Sequence, residues 1–88
     1  MNWEKAYWSV VAECLRVFHG RTLATAEAIV SAQWMITDQT PESLVYHLDP
    51  FEVACGLARR QLDVEEHDRA YQDIRDRYFH PHEQLAAV

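Results

Sequence analysis

The chain has 88 residues, of which 49% are of hydrophobic type, and carries a formal net charge of −6 at pH 7. This length suits one small domain with its own core and is too short for two. Only two glycines and three prolines are present, which excludes a β-sandwich or β-barrel, because those folds need many turns marked by Gly or Pro.

The first predicted helix covers residues 3–19. Asn2 is a suitable N-cap, and apolar residues then recur every three or four positions along the segment. Gly20 follows as the residue that ends the helix. The apolar arc of this helix is wide, so more than one neighbouring element has to cover it.

The second predicted helix is unusually apolar. Thr22 is its N-cap, it extends for about 15 residues, and apolar side chains lie at nearly every angle around its axis. Glu27 is its only charged residue. Because a helix that is apolar on all sides is usually central, we expect the bundle to pack around it. The alternative is that another copy or another protein covers its outer side.

Three further helices are predicted from their N-terminal caps. Thr-Pro-Glu and Asp-Pro each place a capping residue before a proline at the first helical position. Asp63 with Glu66 matches a capping box, and Pro81 stops the last helix. The predicted segments are Pro41 to about Leu48, Pro50 to about Leu62, and Asp63 to about Phe79.

These elements predict an all-α fold of four to five short helices in a compact, irregular orthogonal bundle. The single helical domain spans residues 1–80, and residues 81–88 form a C-terminal tail. No apolar stretch is long enough to cross a membrane, and the acidic N-terminus does not match a signal peptide. We therefore expect a cytoplasmic protein, without membrane contact, whose cysteines are reduced.

No motif indicates catalysis or a cofactor. The five histidines lack the spacing of known metal sites, and His80 and His82 are the only local pair. Cys14 and Cys55 fall on apolar helix faces, where thiols are usually inert. We expect no enzymatic activity, no cofactor and no metal. A small histidine-based metal-binding or enzymatic domain stays open as the alternative.

The charge distribution is the most informative feature. Between Thr22 and Ala58 there are five acidic residues and not one Lys or Arg. This sign argues against direct binding to nucleic acid, because phosphate contacts need a basic face. An acidic surface instead steers association with a basic protein, or it serves only solubility. The acidic candidates for partner binding are Glu27, Asp38, Glu42, Asp49 and Glu52.

Three aromatic residues, Trp8, Trp34 and Tyr46, are candidate exposed anchors for a partner, with ordinary core packing as the alternative. Together with the charge, they predict a small non-enzymatic protein-binding module that acts as an inhibitor, an immunity-type neutraliser or an adaptor on a basic partner surface. Nuclease-toxin immunity proteins and phage-encoded inhibitors share this size, charge sign and helical class, although no motif matches theirs residue by residue. The excess apolar surface of the first two helices also predicts a homodimer, and a structural homo-oligomer subunit is a third interpretation.

Overall fold

The computed structural model describes residues 3–37 and 44–79, and every regular element within these ranges is helical. The predicted all-α class is confirmed. The predicted tail, residues 81–88, lies outside the described ranges. The α-helices are α1 (Trp3–His19), α2 (Leu23–Ile36), α3 (Pro50–Ala58) and α4 (Asp68–Phe79), and short 3-10 helices at Leu44–His47 and Glu65–His67 precede α3 and α4.

Three predicted helix boundaries are confirmed by their capping geometry. Gly20 follows α1 with φ of +67°, a left-handed conformation that glycine adopts without steric penalty. The Thr22 hydroxyl accepts the Thr25 N–H at 3.1 Å at the start of α2. The Asp49 carboxylate accepts the Phe51 N–H at 3.0 Å at the start of α3. The Thr22 and Asp49 caps each satisfy a backbone donor that the first helical turn leaves unpaired.

The predicted end of the helix that begins at Pro50 is wrong. This helix stops at Ala58 rather than near Leu62, because Arg59 adopts a left-handed conformation with φ of 56°. The Arg60 N–H then donates to the Cys55 carbonyl at 3.0 Å, which satisfies a C-terminal acceptor. Apolar periodicity continues beyond the true end and does not reveal the left-handed residue.

Two other predicted helices are shorter or tighter than expected. The described part of the helix predicted over 41–48 is a 3-10 helix, Leu44–His47. Asp63 does accept a backbone bond, from the Glu65 N–H at 2.9 Å. However, the turn that follows is a 3-10 helix, and α4 begins only at Asp68.

The central helix is α1, not α2 as the sequence suggested. α1 packs against α2, α3 and α4, and its buried residues form much of the core. α2 fully buries only Ala26, so its even distribution of apolar residues reflects an exposed apolar surface rather than a central position. The fully or almost fully buried α1 side chains are Tyr7, Trp8, Val10, Val11, Cys14 and Leu15.

Hydrogen bonds and ring contacts of aromatic side chains hold the segment before α3 against α1. The Trp8 indole N–H donates to the Tyr46 hydroxyl at 3.1 Å, and the Tyr7 hydroxyl donates to the Leu48 carbonyl at 3.0 Å. The rings of Tyr7, Trp8 and Tyr46 meet edge to face, with centroids 5.2–6.3 Å apart. Such contacts add to the apolar burial of each ring.

Candidate functional site

A cleft of about 550 Å³ is lined by residues of α1 and α2 and by one residue of α4. The lining residues recur every three or four positions along both helices, so the cleft follows the helices. Only residues 20–22 link α1 to α2, so the two walls of the cleft are consecutive helices of the chain. The lining residues are Lys5, Trp8, Ser9, Ala12 and Glu13 of α1, Leu23, Glu27, Val30, Ser31, Trp34 and Met35 of α2, and Tyr78 of α4.

The last turn of α2 is the most exposed apolar surface beside this cleft. Trp34, Met35 and Ile36 are 47%, 80% and 79% exposed, although all three are large apolar residues. Leu23, at the other end of α2, is also exposed. Scattered apolar residues are normal on a surface, whereas this group forms a contiguous exposed apolar patch next to a cleft and is therefore a candidate site. We call this group, with the cleft, the α2 surface.

Two carboxylates line the cleft. Glu27 is exposed on the α2 side, and Glu13 is buried on the α1 side. Glu13 bonds to Arg16 within α1, and Arg77 Nη1 lies 3.7 Å from its carboxylate. Since helix α2 has no basic residue, the wall that it contributes is apolar and acidic.

The three aromatic candidates do not share one environment. Trp34 lies on the α2 surface and is half exposed. The expectation that Trp8 and Tyr46 are exposed is wrong, because both are buried in the core and joined by a hydrogen bond. Trp8, although buried, is one of the residues that line the cleft.

The five acidic candidates do not form one face. Glu27 lines the cleft, whereas Glu52 is exposed on α3, beside a smaller depression next to Asp63. Asp49 has a structural role, since it caps α3 and accepts a hydrogen bond from the hydroxyl of Tyr71. Burial and this bond raise the pKa of Tyr71, so the Tyr71 hydroxyl stays protonated and donates to Asp49. Asp38 and Glu42 lie outside the described residues.

The side chains that could support catalysis are dispersed. Cys14 and Cys55 are free and buried, and burial raises the pKa of the Cys14 thiol to about 12. Such a thiol is a poor nucleophile at neutral pH. Among residues 3–37 and 44–79, no three His, Cys, Asp or Glu side chains converge as metal ligands. His80 and His82 lie outside these ranges.

His19, at the C-terminal end of α1, is a buried polar residue whose ring lacks hydrogen bonds to other described residues. Neither of its ring nitrogens has a hydrogen-bond partner among the described residues. Burial, and then the positive charges of Arg60 and Arg21 and the ring of His67, lower its pKa below the usual value. The neutral ring is therefore the form that the folded state accommodates.

This environment predicts a stability that falls with acidification. Because the pKa of His19 is lower in the folded state, protons bind preferentially to the unfolded chain as the pH drops through the ordinary histidine range. We expect urea unfolding to require less denaturant at pH 5.5 than at pH 7.5, and the difference to shrink in His19→Leu. The matched variant is His47→Gln, which changes an exposed histidine. An equal pH dependence in wild type and His19→Leu would show that other groups cause it.

Met35, Ile36 and Leu23 were not among the site residues predicted from the sequence. The apolar character of α2 predicted a central helix, with another copy or another protein covering its outer side as the alternative. The available signal was the very weak amphipathicity of α2, with Glu27 as its only charge. A helix apolar on every side is consistent with either burial or an exposed docking face, and the wide apolar arc of α1 competes for the same central position.

No helix among the described residues is long and apolar enough to cross a bilayer. In comparisons with known proteins, no family model, no curated protein and no solved structure matches the chain.

Proposed function

We propose that this chain is a non-enzymatic protein-binding module that docks on a basic protein partner through the α2 surface. The observation that carries the proposal is the exposed turn Trp34, Met35 and Ile36, next to a cleft whose α2 wall has an acidic residue and no cation. A partner would be held by apolar contact at this turn and attracted by the acidic charge. Bound in this way, the module acts by covering a surface of its partner, as an inhibitor, an immunity-type neutraliser or an adaptor does.

The proposal that the chain is non-enzymatic is supported by the burial or the structural hydrogen bonding of its potentially reactive side chains. Burial makes Cys14 a poor nucleophile, and the Tyr71–Asp49 pair serves to cap α3. The competing interpretation is a histidine-based metal-binding or enzymatic domain. Metal analysis of the purified protein distinguishes this interpretation from a protein-binding module. A homodimer through α2 is a further alternative that the apolar outer face favours, but the charge of −6 on each copy opposes it.

The proposal is tested with Met35→Lys. The substitution replaces an exposed apolar side chain by a cation at the proposed docking turn, and exposed substitutions usually change stability by no more than about 0.5 kcal/mol. Wild-type protein and the variant are used to capture proteins from a lysate of the source cells, and binding of each captured protein is remeasured with purified components. We expect Met35→Lys to weaken the direct binding of a captured basic protein by at least about tenfold, as the loss of an interface anchor does.

The matched control is Gln72→Lys, which adds the same charge at an exposed position of α4. It is expected to retain the partner. Association of the wild type should also slow as salt rises from low to physiological concentration, because screening weakens steering by charge. If all baits retain the same proteins with the same affinity, the α2 surface is not the binding site and the proposal is wrong.

A further inference from the structure

The next question is which kind of partner segment fits the α2 surface. Resting on the proposed function, we infer that the occupant of the α1–α2 cleft is an amphipathic helix of about three turns that carries lysine or arginine beside its apolar stripe.

The shape of the cleft suits a helix. Its lining runs along α2 from Leu23 to Met35 and along α1 from Lys5 to Glu13, so it forms an elongated groove between two rods. At 1.5 Å per residue, the α2 side measures on the order of 18 Å, which corresponds to a helix of about 12 residues. Two neighbouring helices provide the ridges and grooves into which a third helix packs.

The lining specifies an apolar stripe on that helix. Trp8, Ala12 and Val30 form an apolar floor, and Trp34 with Met35 extends it onto the exposed last turn of α2. An occupant has to present apolar residues at every third or fourth position to follow this floor. Methionine and tryptophan at the edge suit such contacts, since the thioether adapts its shape and the indole offers a large flat surface.

The charges specify a cation on the flank of the stripe. The charged residues of the lining are Glu27 on α2 and Glu13 and Lys5 on α1. Glu13 is already paired with Arg16 and Arg77, and Lys5 has an interaction of its own, so the exposed carboxylate of Glu27 is the group that meets the occupant. A lysine or arginine placed there gains a partner, whereas an acidic residue is repelled.

A second copy of the chain is a poor occupant by the same criteria. Its apolar exposed helix, α2, has no cation to place against Glu27. Its arginine-bearing helix, α4, is strongly polar and directs Tyr71 and Ile74 into its own core. No described helix of this chain therefore offers an exposed apolar stripe together with basic residues. A different protein has to supply that combination.

The inference is tested with synthetic 14-residue helical peptides. One contains leucine on one face and lysine on its flanks, and its analogue has glutamate in place of every lysine. Binding is followed by tryptophan emission, to which the half-exposed Trp34 contributes, and helix formation by circular dichroism of the mixture. We expect the lysine peptide to bind at least about tenfold more tightly than the glutamate analogue and to gain helical signal on binding.

Variants of the chain locate the bound peptide. Glu27→Gln should weaken the lysine peptide about two- to fivefold, the range expected for an exposed ion pair. Met35→Lys should weaken it further. Glu65→Gln, which removes an exposed carboxylate from the 3-10 helix before α4, should have no effect. Equal binding of the two peptides, or binding that Met35→Lys does not change, overturns the inference.

The remaining outcomes separate this inference from the proposed function. If neither peptide binds while Met35→Lys still releases a captured partner, the module docks through α2 but its occupant is not a cationic helix. If Met35→Lys changes neither peptide binding nor capture, both ideas are wrong. Sedimentation equilibrium of the free protein tests for a homodimer through the α2 surface. If the wild type is a dimer and Met35→Lys dissociates it, the occupant is a second copy and the inference is wrong.

Discussion

Trp8→Ala is expected to lower the free energy of unfolding by about 3–5 kcal/mol, the usual cost of truncating a buried tryptophan. Trp8 is only 4% exposed, contacts the rings of Tyr7 and Tyr46, and donates its indole N–H to the Tyr46 hydroxyl. A domain of this size has a total stability of roughly 5–15 kcal/mol. The variant should therefore be partly unfolded or have a strongly reduced midpoint in urea.

Trp34→Ala provides the comparison, because it makes the same chemical change at a half-exposed position. It is expected to change stability by less than about 1 kcal/mol, as surface substitutions usually do. It should instead weaken the binding of a partner at the α2 surface. The two variants are compared by urea denaturation monitored by circular dichroism. If Trp34→Ala destabilises the protein as much as Trp8→Ala does, then Trp34 is a core residue and not a docking residue.

Asp49→Ala is expected to lower the free energy of unfolding by about 2–3 kcal/mol. The Asp49 side chain accepts the Phe51 N–H at the start of α3 and also the hydroxyl of buried Tyr71 on α4. Alanine removes both acceptors, so the helix loses its cap and the Tyr71 hydroxyl loses its partner. The loss is read from the urea midpoint at constant slope.

A conservative variant and a double-mutant cycle identify the cause. Asp49→Asn keeps an oxygen acceptor, and asparagine is itself a good N-cap, so it should retain most of the stability. Combining Asp49→Ala with Tyr71→Phe should be less damaging than the sum of the two changes, with a coupling of about 1 kcal/mol. Additive effects would mean that the Tyr71–Asp49 bond contributes nothing to stability, and that Asp49 acts only as a cap.

The starts of α2 and α3 were predictable because each depends on one or two local residues. Thr22 and Asp49 cap the helices that the sequence assigned to them, and Gly20 ends α1 as expected. The end of α3 was not predictable in this way. Arg59 takes a left-handed conformation that its residue type disfavours, so the residue type gives no signal for this helix end.

The candidate site was less predictable than the fold, because periodicity does not distinguish a buried apolar residue from an exposed one. Trp8 and Trp34 both lie on apolar helices, yet one is core and the other surface. The difference arises because α1 is the helix that all the others contact, a property of the whole arrangement. Within the acidic group, Asp49 was taken for a partner contact although its position before Pro50 already marked it as a cap.

The central position of α1 affects the order in which the chain can fold. α1 is synthesised before its partners in the core: Trp8 bonds to a residue 38 positions further on, and Tyr7 to one 41 positions further on. Until those segments leave the ribosome, α1 has only α2 to cover its apolar surface. Contacts of such large sequence separation slow folding relative to helical proteins built from local contacts. Nascent chains that end before residue 44 should therefore bind chaperones and aggregate more readily than the complete domain.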